Sequence, residues 1–292
     1  CYNNNIFLGK DGGTMGMFLN NRAPFEAYKI TADDRYFVDK SALLEELIPS
    51  IGREQRFLCI TRPRRFGKTV MANMVAAYFG KTVDSKDIFK NLVISKSKMY
   101  EKYINKYDII YIDFSRLPEN CQTYNKYINR IKTGIKKDLL EEFPELLLQE
   151  EMSLWDIFSK IFQKTNRKFF FVMDEWDAVF HMPFVSQKER QEYLLFLKNL
   201  LKDQVYVELA YMTGILPIAK YSAASELNMF VEYNMATRER FSSYFGFSEE
   251  EVDQLFEKYK SVTMHPRITR QDLKIWYDGY CTASGEQLYN PR

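Results

Sequence analysis

Histidine is nearly absent from this chain: only His181 and His265 occur among 292 residues, and the four cysteines, Cys1, Cys59, Cys121 and Cys281, lie far apart. Neither histidine neighbours a cysteine or the other histidine, so a zinc site built from closely spaced ligands is excluded. The cysteine spacing argues against a disulfide framework and for a reducing compartment. Cys59, inside an apolar run, reads as a small core residue. No stretch approaches the ~20 apolar residues that span a bilayer. The Asn- and Gly-rich start lacks the charged-then-apolar layout of a signal peptide, and the segment before Met17 is given no function; the cytoplasm is the expected location. A charge excess is missing too. Lys and Arg number 41 against 39 Asp and Glu, a net +2, which gives no electrostatic case for gripping nucleic acid. Local clusters such as Lys96, Lys98, Lys102 and Lys106, or Arg130, Lys132, Lys136 and Lys137, read as solvated helix faces.

What is plentiful is core-forming material. Hydrophobic residues make up 46% of the chain, with 23 Phe and 20 Tyr, enough for one large domain or two modest ones. The apolar run Phe57–Thr61, stopped by Arg62-Pro63, reads as a buried parallel strand. Val70, Met71, Met74, Val75 and Tyr78 then fall at helical spacing up to Gly80. Further strands fit Ile109–Phe114, Phe169–Met173 and Val207–Thr213, with helices around 124–143, 153–165 and 189–202. That rhythm predicts an α/β fold with a mainly parallel sheet flanked by helices. Ser248 with Glu251 is a capping-box signature for a helix to Tyr259, and Thr269 caps another through Trp276. The organisation expected is an N-terminal extension over 1–24, a core over 25–219, and a smaller helical subdomain from 220 to 292 that continues further.

The chemistry lies at two places. The phosphate-loop pattern G-x-x-x-x-G-K-[ST] between strand and helix is matched by Arg62-Pro63-Arg64-Arg65-Phe66-Gly67-Lys68-Thr69, except that Arg62 replaces the first glycine. Backbone N–H groups of Arg64 to Val70 at the positive end of a helix dipole suit a phosphate chain. Lys68 brings an ammonium to the β- and γ-phosphates, and the Thr69 hydroxyl can ligate Mg²⁺. The second place is the end of the strand Phe169–Met173. There Asp174 is expected to hold the metal, and Glu175 to orient and deprotonate the attacking water. Asp177 fits either a third acidic group near the metal or, as the plainer reading, the cap of the next turn. Thr213 fits either a polar sensor near the γ-phosphate or a hydrogen-bonded strand-end threonine. Arg64, Arg65, Arg238 and Arg240 are the arginines available to stabilise transition-state charge, with surface salt bridges the plainer reading of the last two.

With Tyr36-Phe37-Val38-Asp39-Lys40, Thr213-Gly214-Ile215, Phe245-Gly246-Phe247, Trp276-Tyr277-Asp278-Gly279-Tyr280 and Leu288-Tyr289-Asn290-Pro291, these motifs make the chain resemble the bacterial AAA-ATPase-like family from Phe25 to Arg292. Arg at the first loop position is usual in that family; Trp176 stands where Tyr is usual. The resemblance implies a P-loop NTPase core that binds ATP with Mg²⁺, with the acidic strand lying next to the loop strand. It also implies that full-length relatives often continue into a PD-(D/E)XK nuclease-like domain. ATP hydrolysis driving a conformational change is the expected function. The alternatives are a nucleotide-gated switch with negligible turnover, and a regulatory ATPase part of a nuclease or defence system. A homo-oligomer or protein partner is compatible with each; a membrane partner is not expected.

Overall fold

The structure, a computed structural model, describes residues 15–221, 225–265, 267–277 and 279–291; most of the stretch before Met17, with Cys1, and Asp278 of the Trp276–Tyr280 motif, lie outside the described residues. The main sheet contains β1 (Phe57–Thr61), β2 (Asp108–Asp113), β3 (Phe169–Asp174), β4 (Val207–Gly214) and β5 (Val231–Tyr233), in the spatial order β2-β3-β4-β1-β5 and parallel throughout. Strands β1 and β3 are buried along their whole length, which is why they read as unbroken apolar runs rather than as alternation.

Alternate residues of each strand serve opposite faces. Leu58 and Ile60 of β1, Phe170 and Val172 of β3, and Leu209 and Tyr211 of β4 pack with α1 (Ala23–Ala32), α2 (Ala42–Leu47) and α3 (Lys68–Phe79). Short α4 (Lys86–Phe89) and α5 (Tyr100–Tyr103) extend that side. Cys59, Phe171, Met173, Ala210 and Met212 pack with α6 (Tyr124–Glu142), α7 (Leu154–Thr165) and α8 (Gln187–Leu201). Ser153 caps α7, and Ser186 with Glu189 forms a capping box on α8. A sheet buried on both faces explains the aromatic load, since each large apolar side chain fully buried contributes about 1.5–3 kcal/mol.

Three expectations need correction. The acidic strand is not beside the loop strand: β4 pairs with both β1 and β3 and separates them. Composition makes a strand buried but does not fix the order of buried strands. Secondly, the region after 220 is not simply helical. β5 pairs with β1 as the edge strand of the main sheet, before α9 (Glu249–Val262), α10 (Arg270–Tyr277) and the antiparallel pair β6 (Tyr280–Cys281) and β7 (Gln287–Leu288). The predicted capping box of α9 is present. Thirdly, Phe18 to Asn20, within the expected N-terminal extension 1–24, run along the free edge of β2: Phe18 O accepts from Tyr111 N at 2.9 Å and Asn20 N donates to Ile109 O at 2.7 Å.

Arg62 adds a side-chain tie between β5 and the end of β1. Its guanidinium is buried, donates from Nη1 to Thr61 O at 2.8 Å and to Tyr233 O at 2.9 Å, and lies 5.1 Å from the centre of the Phe245 ring. Burial pulls its pKa down to about 10, so it stays a cation at neutral pH. Arg62→Gly restores the glycine of the general phosphate-loop pattern, yet it leaves a cavity and two carbonyls without their donor. A loss of about 2–4 kcal/mol in unfolding free energy is expected by denaturant titration; a variant as stable as the parent contradicts this role.

Candidate functional site

The loop after β1 leaves the sheet at its carboxyl edge, where open α/β sheets bind ligands. Arg62 N still pairs with Gly214 O at 3.0 Å, then the chain turns through positive φ at Arg65 (68°) and Gly67 (78°). Gly67 is the residue before α3, and a left-handed φ there favours glycine. A Cβ on Gly67 would meet nothing within 4 Å, so the backbone conformation, rather than crowding, requires glycine, and the loop is open above it. No side chain caps the N-terminus of α3, which leaves its first-turn N–H groups to an anion.

The structure brings five of the predicted residues together. Lys68 is buried; its Nζ turns back to Arg62 O (3.2 Å) and Pro63 O (3.1 Å) and lies 3.7 Å from Glu175 Oε1. Asp174, also buried, accepts a hydrogen bond from the Thr213 hydroxyl, and the Thr69 hydroxyl lies near enough to favour its charged form. Thr213 Oγ1 in turn accepts from Glu175 N at 3.4 Å. The strand order makes this contact possible: β4 brings Thr213 to the carboxyl edge beside β3, where its hydroxyl bonds both Asp174 and the backbone of Glu175. Glu175 has φ 52°, an uncommon backbone for a non-glycine residue and one that functional sites retain.

Burial sets the electrostatics. Desolvation raises the pKa of Asp174, opposed by the Thr213 and Thr69 hydroxyls, and raises that of Glu175, opposed by Lys68. Desolvation also lowers the pKa of Lys68, against the pull of Glu175 and Asp174. A buried cation thus faces two reluctant anions, an arrangement suited to a ligand carrying its own charge. One hydroxyl and one carboxylate are also the share a protein usually contributes to Mg²⁺, the remaining positions going to water and phosphate oxygens. Thr69 and Asp174 fit that set.

Other predicted residues stand elsewhere. Arg64 and Arg65 are exposed on the loop. The side chain of Phe66 is buried beneath it, edge-on to Tyr280 at 4.7 Å, so only its backbone faces the loop mouth. Val70 is half-buried beside Gly67. Asp177 is not a helix cap: it is buried, and its carboxylate accepts from Ile215 N (3.2 Å) and Leu216 N (3.0 Å), holding the exit of β4. Gly214 is required there, because a Cβ would collide with the Trp176 ring. Arg240 pairs with Glu46 at 3.1 Å, and Arg238 is exposed. Sequence reading missed Asp113, which ends β2 in register with Asp174 and binds Arg116 at 3.1 Å. Its signal was the same as that of Asp174, an acid closing an apolar strand.

A five-stranded parallel sheet, a glycine-lysine-threonine loop entering a helix, and an acid pair two strands away define a P-loop ATPase fold. A profile of the predicted AAA-ATPase family matches residues 25–224, and the chain belongs to that family. It is 24% identical over 277 residues to an uncharacterised protein in the vnfD 5′ region of Azotobacter chroococcum mcd 1, with 89% of this chain covered and 47% of that protein; the chain spans about half that relative's length. Among solved structures it overlaps the Aeropyrum pernix ORC2 protein (ADPNP-ADP complexes) with a TM-score of 0.36 and 10% identity, over 89% of this chain and 57% of the other. At that overlap the fold assignment rests on the sheet and the family profile. No described helix is long and apolar enough to cross a membrane.

The raised pKa of Asp174 has a consequence for stability. A folded pKa above the unfolded one means the acid costs nothing below the ordinary carboxylate range, and its penalty grows as pH rises through the folded value. Asp174→Asn, which keeps the bond to Thr213, is therefore expected to raise the melting temperature of the nucleotide-free protein at pH 8 and leave it unchanged near pH 4. Scanning calorimetry at both pH values checks this; equal effects at both would contradict it.

Proposed function

We propose that this chain binds ATP with Mg²⁺ on the loop Arg64–Val70 and hydrolyses it, using the cycle to shift its C-terminal helices. The observation that carries the reading is the meeting of Lys68, Glu175, Asp174 and Thr213 at one sheet edge, with Thr69 beside Asp174. Backbone N–H groups at the start of α3 bind the phosphate chain, and Lys68 leaves its loop carbonyls to place its ammonium on the β- and γ-phosphates. Thr69 and Asp174 hold the metal, which when bound neutralises charge on the phosphoryl oxygens. Glu175, its pKa raised by burial, orients the attacking water and takes its proton as the water oxygen bonds to the γ-phosphorus and the bond to the ADP oxygen breaks. Thr213 keeps both acids in position. ATP, rather than another nucleotide, follows from the family.

Two connections support a conformational output. Gly246 N donates to Phe66 O at 3.3 Å, so the loop touches the segment leading into α9. Lys40 is buried and its Nζ donates to Glu251 Oε1 and Oε2 (2.5 and 2.7 Å) and to Ser243 O (2.7 Å), joining the N-terminal segment to the first turn of α9. Movement of the loop on binding is thereby passed to α9.

Lys68→Ala is expected to abolish Mg-ATP binding by calorimetry, whereas Glu175→Gln retains it and loses turnover by about 10²–10⁴-fold in phosphate release. Turnover retained in Glu175→Gln would remove the base from the mechanism. Binding with no release from the parent would make the protein a nucleotide-gated switch.

A further inference from the structure

A cleft of about 110 Å³ runs between the start of α3 and the end of β2, lined by Thr69 and Asn73 on the helix and by Tyr111 and Asp113 on the strand, with Arg116 and Arg130 also in its wall. We propose that Asp113 is a positioning residue for the metal: its carboxylate takes a hydrogen bond from a water of the Mg²⁺ hydration shell and so orients the ion on Thr69 and Asp174. This rests on the reading of Thr69 and Asp174 as the metal's protein ligands, and adds what holds another side of its shell.

Register carries the first part of the argument. The helix α3 starts at the carboxyl edge of the sheet and runs back from it. Asn73, four residues beyond Thr69, lies on the same face of α3 and about 6 Å deeper. Tyr111, two residues before Asp113, lies on the same face of β2 and about 6.6 Å deeper. The deeper pair is in contact, with Tyr111 Oη donating to Asn73 Oδ1 at 2.8 Å. Nearly equal steps toward the edge along helix and strand therefore set Thr69 opposite Asp113. A tyrosine reaches across this gap and an aspartate does not, which leaves the cleft open between the Asp113 carboxylate and Thr69. It has room for several waters, with polar neighbours enough to hold them. Mg²⁺ keeps several waters of its own and takes only one or two protein carboxylates directly.

The second part is the carboxylate itself. Asp113 lies beside Asp174 in register on the adjacent parallel strand, and its side chain is only 18% exposed. Oδ1 accepts from Ser115 N (3.0 Å) and Ser115 Oγ (2.6 Å), and Oδ2 from Arg116 Nε (3.1 Å). Those three bonds fix the orientation of the group. They leave part of its acceptor capacity, about four lone-pair sites, for a water. Behind burial, the charge of Asp113 also raises the pKa of Asp174 and Glu175, so its negative charge reaches the metal site, where a cation relieves the repulsion.

Mn²⁺ in place of Mg²⁺, with ADP bound to the intact chain, tests this, because electron paramagnetic resonance separates free from bound ion. Asp113→Ala is expected to weaken Mn²⁺ binding to the ADP complex by about 10- to 100-fold, with ADP binding in the absence of metal unchanged. Asp113→Asn keeps the size and loses the charge, and is expected to weaken it by roughly 10-fold. Arg116→Ala removes a partner of the carboxylate and leaves the carboxylate in place, so Mn²⁺ affinity equal to the parent's is expected. Parent-like affinity in folded Asp113→Ala, or in Asp113→Asn should the alanine variant not fold, would overturn the proposal. An equal loss in Arg116→Ala would overturn it too, because the turn rather than the carboxylate would then govern the ion. Thr69→Ala checks the underlying reading: Mn²⁺ affinity unchanged there would remove the metal site itself, and the role of Asp113 with it.

Discussion

A guanidinium buried at the mouth of a phosphate loop is the constraint around which the rest of this structure is arranged. Arg62 occupies the position where glycine usually eases the chain out of the strand. Here its side chain turns inward, binds carbonyls of β1 and β5, and lies against Phe245. Burying a cation of this kind costs desolvation that hydrogen bonds and its contact with the ring offset in part. Carbonyls of the edge strand and of the strand that carries the loop bind its Nη1, while its Nε finds no partner among the described residues. One side chain therefore ties the start of the loop to β5, and Ser242 and Phe245 lie against the same group. What appears in sequence as a degraded motif is a structural joint between the nucleotide site and the C-terminal part of the chain.

The insertion of β4 between β1 and β3 has a chemical result. It sets Thr213 where one hydroxyl donates to Asp174 and accepts from Glu175 N. With β1 and β3 as direct neighbours, Asp174 would keep the cost of its burial and lose this donor. The αL backbone of Glu175 is held by that same contact, and Asp177 fixes the exit of β4 from the other side. Three acids in four residues thus have different tasks: one beside the Thr69 hydroxyl, one facing Lys68, and one tying down backbone.

Much of this was legible in the sequence, because the signals involved are local. Strands buried on both faces announce themselves as apolar runs, Ser248 marks a helix start through its own hydrogen bonds, and Gly67-Lys68-Thr69 needs only a strand before it and a helix after it. What escaped depends on contacts between distant segments. The order of the strands, the docking of β5, the course of residues 18–20 along β2 and the inward turn of Arg62 are fixed by partners on distant segments of the chain. Asp113 was missed although its strand was found, since an acid at a strand end becomes informative only once that strand is known to lie beside β3.

The central claim is that the loop and the acid pair form one Mg-ATP site, and a crystal structure with Mg²⁺ and a non-hydrolysable ATP analogue tests it most directly. The account predicts that Lys68 Nζ leaves the carbonyls of Arg62 and Pro63 for the β- and γ-phosphates, with Thr69 and Asp174 at the metal. An analogue bound elsewhere, or Lys68 still folded onto its own loop with nucleotide present, would contradict it.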